Sequence, residues 1–330
     1  MSELAYSVKD GDNMNNPIYV AIDGGGTKTE YLLLDGQFRV TGRYLGGCVN
    51  HDLLPDGWNG TLKELQTGIQ TLLEANHVKL DDLTDVVAGL SGVDTRSDQK
   101  QADDCMRAIG VKRFLICNDG FLPVKAECPG GYGISYNCGT GVCCAGINEE
   151  GQLAKIAGLD EWSGDAGGGR WIVTNVFRAV YEARILRGEE TPLASAYQDL
   201  LSLHTEEDLI DSLTKLKAPA DYPEVTKDVI RMFFTELESG DQAAQQIADQ
   251  MLRCAADSIR CVYSRLNFPP EETPIVLTGS ILTKAANRTY LDLLEKRLQR
   301  EIPGRFRLCM ASKEPVWGAV RWLEERKHQI

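Results

Sequence analysis

The stretch Ile18-Tyr19-Val20-Ala21-Ile22-Asp23-Gly24-Gly25-Gly26-Thr27-Lys28-Thr29-Glu30-Tyr31-Leu32-Leu33-Leu34-Asp35-Gly36 decides how this chain is read. Two apolar, β-rich runs flank a glycine-rich turn, and a second turn follows. The pattern predicts strand, turn, strand, turn. A Walker-type loop instead leads from strand into helix, and no G-x-x-x-x-G-K-[ST] match occurs anywhere in the chain, which argues against that class. Three successive glycines let backbone N–H groups approach phosphate oxygens without an intervening Cβ. Thr27 adds a hydroxyl and Lys28 a positive charge. Asp23, at the strand end, is placed to hold Mg²⁺ through water, because Mg²⁺ keeps several of its waters. Gly24, Gly25, Gly26, Thr27 and Lys28 are therefore the first candidate phosphate site. A plain hairpin turn would share the glycines, but would not need the strand-end Asp or the Thr-Lys pair.

A similar unit returns further along. Ile134 to Asn137 leads into Cys138-Gly139-Thr140-Gly141, then Val142 to Ile147, then Glu150-Gly151. Gly24 to Gly36 and Gly139 to Gly151 share a spacing of twelve residues. Two such units predict a duplicated fold with two facing lobes. Thr140 and Gly141 join the candidate phosphate ligands.

Between the two units the pattern is α/β. Leu62, Leu65, Ile69, Leu72 and Leu73 share a helical face. Asp85 to Leu90 and Arg113 to Cys117 read as buried strands, ending at Ser91-Gly92 and at Asn118-Asp119-Gly120. The second half is rich in helix. Ile247, Met251, Ala255, Ile259, Val262 and Leu266 mark the inner face of a helix from about Gln242 to Leu266. Pro269, Pro270 and Pro274 break the chain after it. A strand at Ile275 to Leu277 then leads through Thr278-Gly279-Ser280 into a helix. A last strand at Phe306 to Met310 precedes a last helix at Val316 to Lys327. Alternating β and α elements predict mixed sheets with helices on their faces.

Three further segments carry candidate chemistry. Asp119, a strand-end carboxylate, suits the one proton acceptor that phosphoryl transfer needs. Asp160 to Trp171 alternates carboxylates, glycines and aromatics, the groups that carbohydrate sites use. Gly279 and Ser280 leave room for a flat ligand to approach the backbone.

Composition excludes several other classes. The 330 residues carry a formal net charge of −13 and an isoelectric point near 4.9, against the basic surface that nucleic acid or an anionic membrane requires. No apolar run approaches the ~20 residues of a membrane span. Met1 to Asn16 lacks the charged and apolar regions of a signal peptide and reads as a disordered tail. Ten cysteines without a C-x-x-C spacing, and four scattered histidines, predict reduced thiols in a cytoplasmic protein rather than a zinc site.

In this order the segments resemble the BadF/BadG/BcrA/BcrD-type ATPase family, in its N-acetylglucosamine kinase branch, within the sugar kinase/heat-shock/actin superfamily. The resemblance spans roughly Ile18 to Leu323. Asp23 to Thr29 looks like its phosphate-1 motif, Cys138 to Gly141 like phosphate-2, and Thr278-Gly279-Ser280 like the adenosine motif. It implies an α/β, two-lobed actin-like (ribonuclease H-like) ATPase fold with a duplicated core and an interlobe cleft. The expected divisions are a tail at 1–16, an N-terminal lobe at 17–119, a C-terminal lobe at 120–312, and a C-terminal helix at 313–330 returning toward the N-terminal lobe. It further implies ATP with Mg²⁺, an amino-sugar acceptor and a homodimer. Asn50, Ser91, Gly92 and Asp165 are similar to sugar-binding positions, and Asp119 to the catalytic base. The chain departs from the family pattern in several ways, one being that the family's upstream Trp-Gly is shifted, with Trp162 only two residues before Gly164. Ala166 stands for a Glu, Gly168 for a Ser, and Cys138 and Val142 for the two Ser flanking Gly-Thr-Gly. Two alternatives share the ATP motifs. One is an activator ATPase of a CoA-ester reductase or dehydratase, with an iron–sulfur cluster on Cys128 or Cys138. The other is a non-catalytic sugar- and ATP-binding regulator.

Overall fold

The computed structural model describes residues 17–156, 158–159, 162–217, 222–269 and 272–327. The expected tail at 1–16, Asp160-Glu161 of the aromatic segment, and Pro270 lie outside the described residues. The chain divides into two compact units, 1–119 with 319–330, and 120–318.

In the first unit, β1 (Ile18–Gly24) and β2 (Thr29–Leu34) form an antiparallel hairpin across the glycine turn. Strand β3 (Val40–Gly46) adds antiparallel to β2, while β4 (Leu83–Leu90) and β5 (Phe114–Cys117) extend the sheet in parallel on the other side of β1. The order is β3-β2-β1-β4-β5. Strands β1, β2 and β4 are almost wholly buried, which explains their continuous apolar runs. Helix α1 (Trp58–Ala75) lays Leu65, Ile69, Leu72 and Leu73 into this core. Helix α2 (Arg96–Ile109) adds Met106. It starts at a reciprocal cap between Thr95 and Asp98 and stops at Gly110, which holds φ +99°.

The second unit begins with the short α3 (Leu122–Glu127) and repeats the plan. Strands β6 (Gly133–Cys138), β7 (Val142–Ile147) and β8 (Leu153–Ile156) are antiparallel neighbours; β9 (Thr273–Thr278) and β10 (Phe306–Met310) extend the sheet in parallel. The order β10-β9-β6-β7-β8 is the first sheet read from the other edge. Each strand β1 to β5 thus has a counterpart, β6 to β10, in sequence order and in pairing sense. The duplication expected from two glycine turns extends to all five strands.

Helices α4 (Gly169–Tyr181), α5 (Pro192–Leu201), α6 (Glu206–Lys217), α7 (Tyr222–Glu238) and α8 (Gln242–Arg265) fill the insertion between β8 and β9. All six residues expected on the inner face of α8 are buried. Pro274 does not end the chain's order. It is the second residue of β9, opposite Arg307 of β10, and its missing N–H falls before the β6 ladder begins at Ile275. The helix expected directly after Ser280 is delayed. A wide helical turn at Ile281–Ala285 comes first, and α9 (Arg288–Glu301) starts at an Asn287 cap. Helix α10 (Val316–Lys327) closes the chain, and from Ala319 onward it belongs to the first unit.

Candidate functional site

In the first unit the candidate residues gather at one edge of the sheet. Register pairs Gly24 with Leu90 and Gly89 with Cys117, so the C-terminal ends of β1, β4 and β5 lie level. Parallel strands offer ligands this edge. Gly25 N–H donates to the Lys28 carbonyl at 3.0 Å and closes the turn. Thr27 and Lys28 are exposed and Asp23 is half-buried. Gly24 has a packing reason as well: a Cβ there would lie 2.6 Å from both Leu90 Cδ2 and Val49 Cγ2.

Two backbone bonds tie the turn to the expected sugar residues. Ser91 N–H donates to the Gly24 carbonyl at 2.8 Å, and Val49 N–H to the Gly25 carbonyl at 3.3 Å. Asn50 follows Val49, and its Oδ1 accepts the Asp52 N–H at 2.9 Å. Gly92 holds φ +82°, and a Cβ on it would stand 2.6 Å from Asn50 Oδ1. Asn50, Ser91 and Gly92 therefore meet, as the sequence reading expected of one site. Ser91 Oγ and His51 Nδ1 are buried there without a hydrogen-bond partner, a demand that folded proteins rarely leave unmet. Sequence reasoning reads His51 only as the neighbour of Asn50 in an Asn-His pair and gives it no role; its ring stacks on Trp58 with centroids 4.1 Å apart. Asn118 donates from Nδ2 to the Val93 carbonyl at 3.3 Å and to Asp94 Oδ1 at 2.9 Å. This pins the end of β5 to the Ser91–Asp94 segment, and Asp119 is the next residue, half-buried, where the chain leaves the first unit for the second.

In the second unit three glycine segments touch backbone to backbone. Register pairs Asn137 with Thr278, which brings Cys138-Gly139 beside Gly279-Ser280. Gly279 takes φ +87°, and a side chain on it would overlap the Cys138 carbonyl. Gly168 abuts the Thr140 carbonyl so closely that a Cβ would overlap it too. Gly169 N–H donates to the Gly139 carbonyl at 2.9 Å, and Gly139 N–H to the Gly141 carbonyl at 2.9 Å. Thr140 and Ser280 remain exposed. The N-terminus of α4 lies in this cluster with Gly168 as its cap and no side-chain bond to it, whereas α2, α5, α8 and α9 are capped by Thr, Asp or Asn. An uncapped helix start leaves N–H groups and a positive dipole end for an anion.

Asp165 is buried, with Oδ2 accepting the Gly158 N–H at 2.8 Å. It lines an open pocket of about 640 Å³ together with Trp171, Arg253, Cys254 and Ser258. Trp171 is the aromatic of the segment that faces this pocket; Trp162 is 91% exposed. The nominated cluster cysteines are both buried. Burial pushes the Cys128 thiol up to about 12 and raises Cys138 further.

Two duplicated units, each with a glycine turn between its first two strands, define the actin-like ATPase fold that sugar kinases share. The chain belongs to the BadF/BadG/BcrA/BcrD ATPase family, whose pattern matches residues 20–322. It is similar to an N-acetyl-D-glucosamine kinase of Dictyostelium discoideum, 26% identical over 316 residues that cover 93% of this chain and 98% of the relative. It is also similar to an N-acetylmuramic acid/N-acetylglucosamine kinase of Clostridium acetobutylicum, 25% identical over 311 residues, 91% of this chain and 96% of the relative. Among solved structures it is similar to a Chromobacterium violaceum protein provisionally assigned as an N-acetylglucosamine kinase. There the TM-score is 0.64 at 17% identity, covering 93% of this chain and 99% of the other, a likeness of fold.

Proposed function

We propose that this chain is an ATP-dependent phosphotransferase acting on a hydroxyl of an amino sugar, N-acetylglucosamine first among them. The observation that carries this reading is the convergence of Cys138–Gly141, Gly167–Gly169 and Gly279-Ser280 around the uncapped start of α4. Such a cluster supplies backbone donors and a positive dipole end to phosphate oxygens. The names of the two curated relatives supply the acceptor class.

In this reading Asp119 takes the proton of the sugar hydroxyl. The freed oxygen bonds to the γ-phosphorus as the bond to the ADP oxygen breaks. Donors of Gly24, Gly25, Gly26, Thr27 and Lys28 in the first unit, and of Thr140 and Gly141 in the second, offset the charge on the transferring group. Gly279 and Ser280 flank the adenosine; Asn50, Ser91, Gly92 and Asp165 hold the sugar. Asp23 is the residue that would hold Mg²⁺ through water. The donor set fits, because Mg²⁺ takes most of its ligands from phosphates and water and needs few carboxylates. When bound, Mg²⁺ neutralises phosphate charge. A cytoplasmic homodimer completes the reading, and sedimentation of a monomer at micromolar concentration would remove the dimer from it.

The test is ADP release by purified protein with ATP, Mg²⁺ and a panel of sugars, beside Asp119→Asn. Release that depends on one amino sugar and vanishes in the variant establishes the kinase. Absence of sugar-dependent release, with wild type matching the variant, overturns it. Sugar binding without ATP consumption would favour the non-catalytic regulator.

A further inference from the structure

Two thiols hold the segment that carries Asp165. The S–H of Cys138, first residue of the second glycine turn, donates to the Gly167 carbonyl at 2.9 Å. The Ala166 N–H donates to Cys254 Sγ, on α8, at 3.3 Å. The peptide groups that follow Asp165 are thus gripped from two elements, while Gly158 N–H holds its Oδ2 at 2.8 Å. Cys254 is half-buried and opens onto the same pocket of about 640 Å³ as Asp165. Burial raises its thiol above the ordinary range, so the sulfur is neutral at physiological pH.

We propose that Cys254 is a positioning residue for the Asp165 carboxylate: by accepting the Ala166 N–H, it fixes the backbone from which Asp165 meets the sugar. The proposal rests on the reading of Asp165 as a sugar-binding residue given above. Removing the acceptor leaves a buried N–H unmet and lets the carboxylate leave its place. Ala166 adjoins Asp165 on one side and the Gly167–Gly169 segment of the phosphate cluster on the other, where Cys138 holds the Gly167 carbonyl independently, so loss of the Cys254 bond is expected to weaken the sugar more than ATP.

Steady-state kinetics with N-acetylglucosamine and ATP test this on Cys254→Ala, Cys254→Val and Cys254→Ser. Ala and Val are expected to raise the sugar KM about tenfold, the scale of one lost hydrogen bond, with the KM for ATP shifted less. Cys254→Ser, which keeps an acceptor, is expected to restore the sugar KM. Val fills the volume of the thiol and gives the answer if the smaller side chain unfolds the chain. An unchanged sugar KM in Ala or Val overturns the proposal. So does a parallel shift of both KM values with a lowered melting temperature, which would mark Cys254 as structural. Wild-type protein with no sugar-dependent ADP release fails the kinase reading first and this proposal with it, so the wild type alone separates the two failures.

Discussion

The carboxylate of Asp85, 1% exposed near the start of β4, is held by Arg326 of the last helix. Arg326 Nε and NH2 reach its two oxygens at 2.9 and 3.1 Å, and Arg113 Nε adds a bond at 2.8 Å. The contact spans 241 positions of sequence and ties the returning C-terminus into the first unit. Breaking a buried pair from one side costs about 3–5 kcal/mol, because a charge is left without its partner. Arg113 remains in place, so Arg326→Ala is expected at the low end of that range, and Asp85→Ala, which strands two guanidinium groups, higher. Calorimetric melting checks both, and a variant Arg326→Ala that melts with wild type contradicts the assignment.

Gly92→Ala places a methyl group 2.6 Å from Asn50 Oδ1 at a residue with φ +82°. Strain in that region is worth about 1–3 kcal/mol. The sugar KM is expected to rise at least about tenfold, by the same conversion, because Asn50 must turn away. Fluorescence or calorimetric titration with N-acetylglucosamine measures it directly, and unchanged affinity would detach Asn50 and Gly92 from the sugar.

Gly168→Ala and Gly279→Ala both drive a Cβ into backbone carbonyls of the second glycine turn, Thr140 and Cys138 respectively. Neither carbonyl can move without opening the turn. Weaker ATP binding is expected for both, with Gly279→Ala also destabilised by about 1–3 kcal/mol through its positive φ. Nucleotide titration of the folded variants decides the matter; unchanged ATP affinity would remove the cluster from the nucleotide site.

Alkaline pH is expected to loosen the fold. Burial pushes the Cys128 thiol from an ordinary 9.0 up to about 12, and raises Cys138, Cys144, Tyr136 and Tyr290 as well. The unfolded chain gives up its thiol protons above pH 9.0, while native Cys128 keeps its own until about 12. The native state then binds more protons, so the stability held below pH 9.0 is lost as pH rises toward 12. Each such thiol costs about 1.4 kcal/mol per pH unit in that window, and the tyrosines join only above their own ordinary 10.0. Melting temperatures at successive pH values above 9 should fall steadily, and a flat profile would contradict the burial of these thiols.

Much of this was legible in sequence because the signals are local. A buried strand is a continuous apolar run, and a glycine turn between two such runs fixes the hairpin it makes, so β1, β2, β6 and β7 could be read directly. The edge strands β3 and β8 were harder, unlike the edges β5 and β10. Val40–Gly46 exposes four of its seven residues and Leu153–Ile156 has only four residues, none fully buried, so neither carries much apolar pattern. Helices α4 to α7 were seen only as a helix-rich half. The wide turn at Ile281–Ala285 has no local signature that separates it from the start of α9.

By itself the sequence determined the two strand–turn–strand units, the candidate loops and the family they belong to. Backbone freedom at glycine and the period of apolar residues are properties of a few neighbouring positions. Only the tertiary structure decided that both sheets share one strand order. It also decided that Gly168 and Gly279 press on the same turn, that Cys254 meets Ala166, and that Arg326 finds Asp85. Those contacts join residues 28 to 241 positions apart, measured from Gly168 to Thr140 and from Asp85 to Arg326. They depend on how register and packing bring distant segments together, which no local pattern encodes.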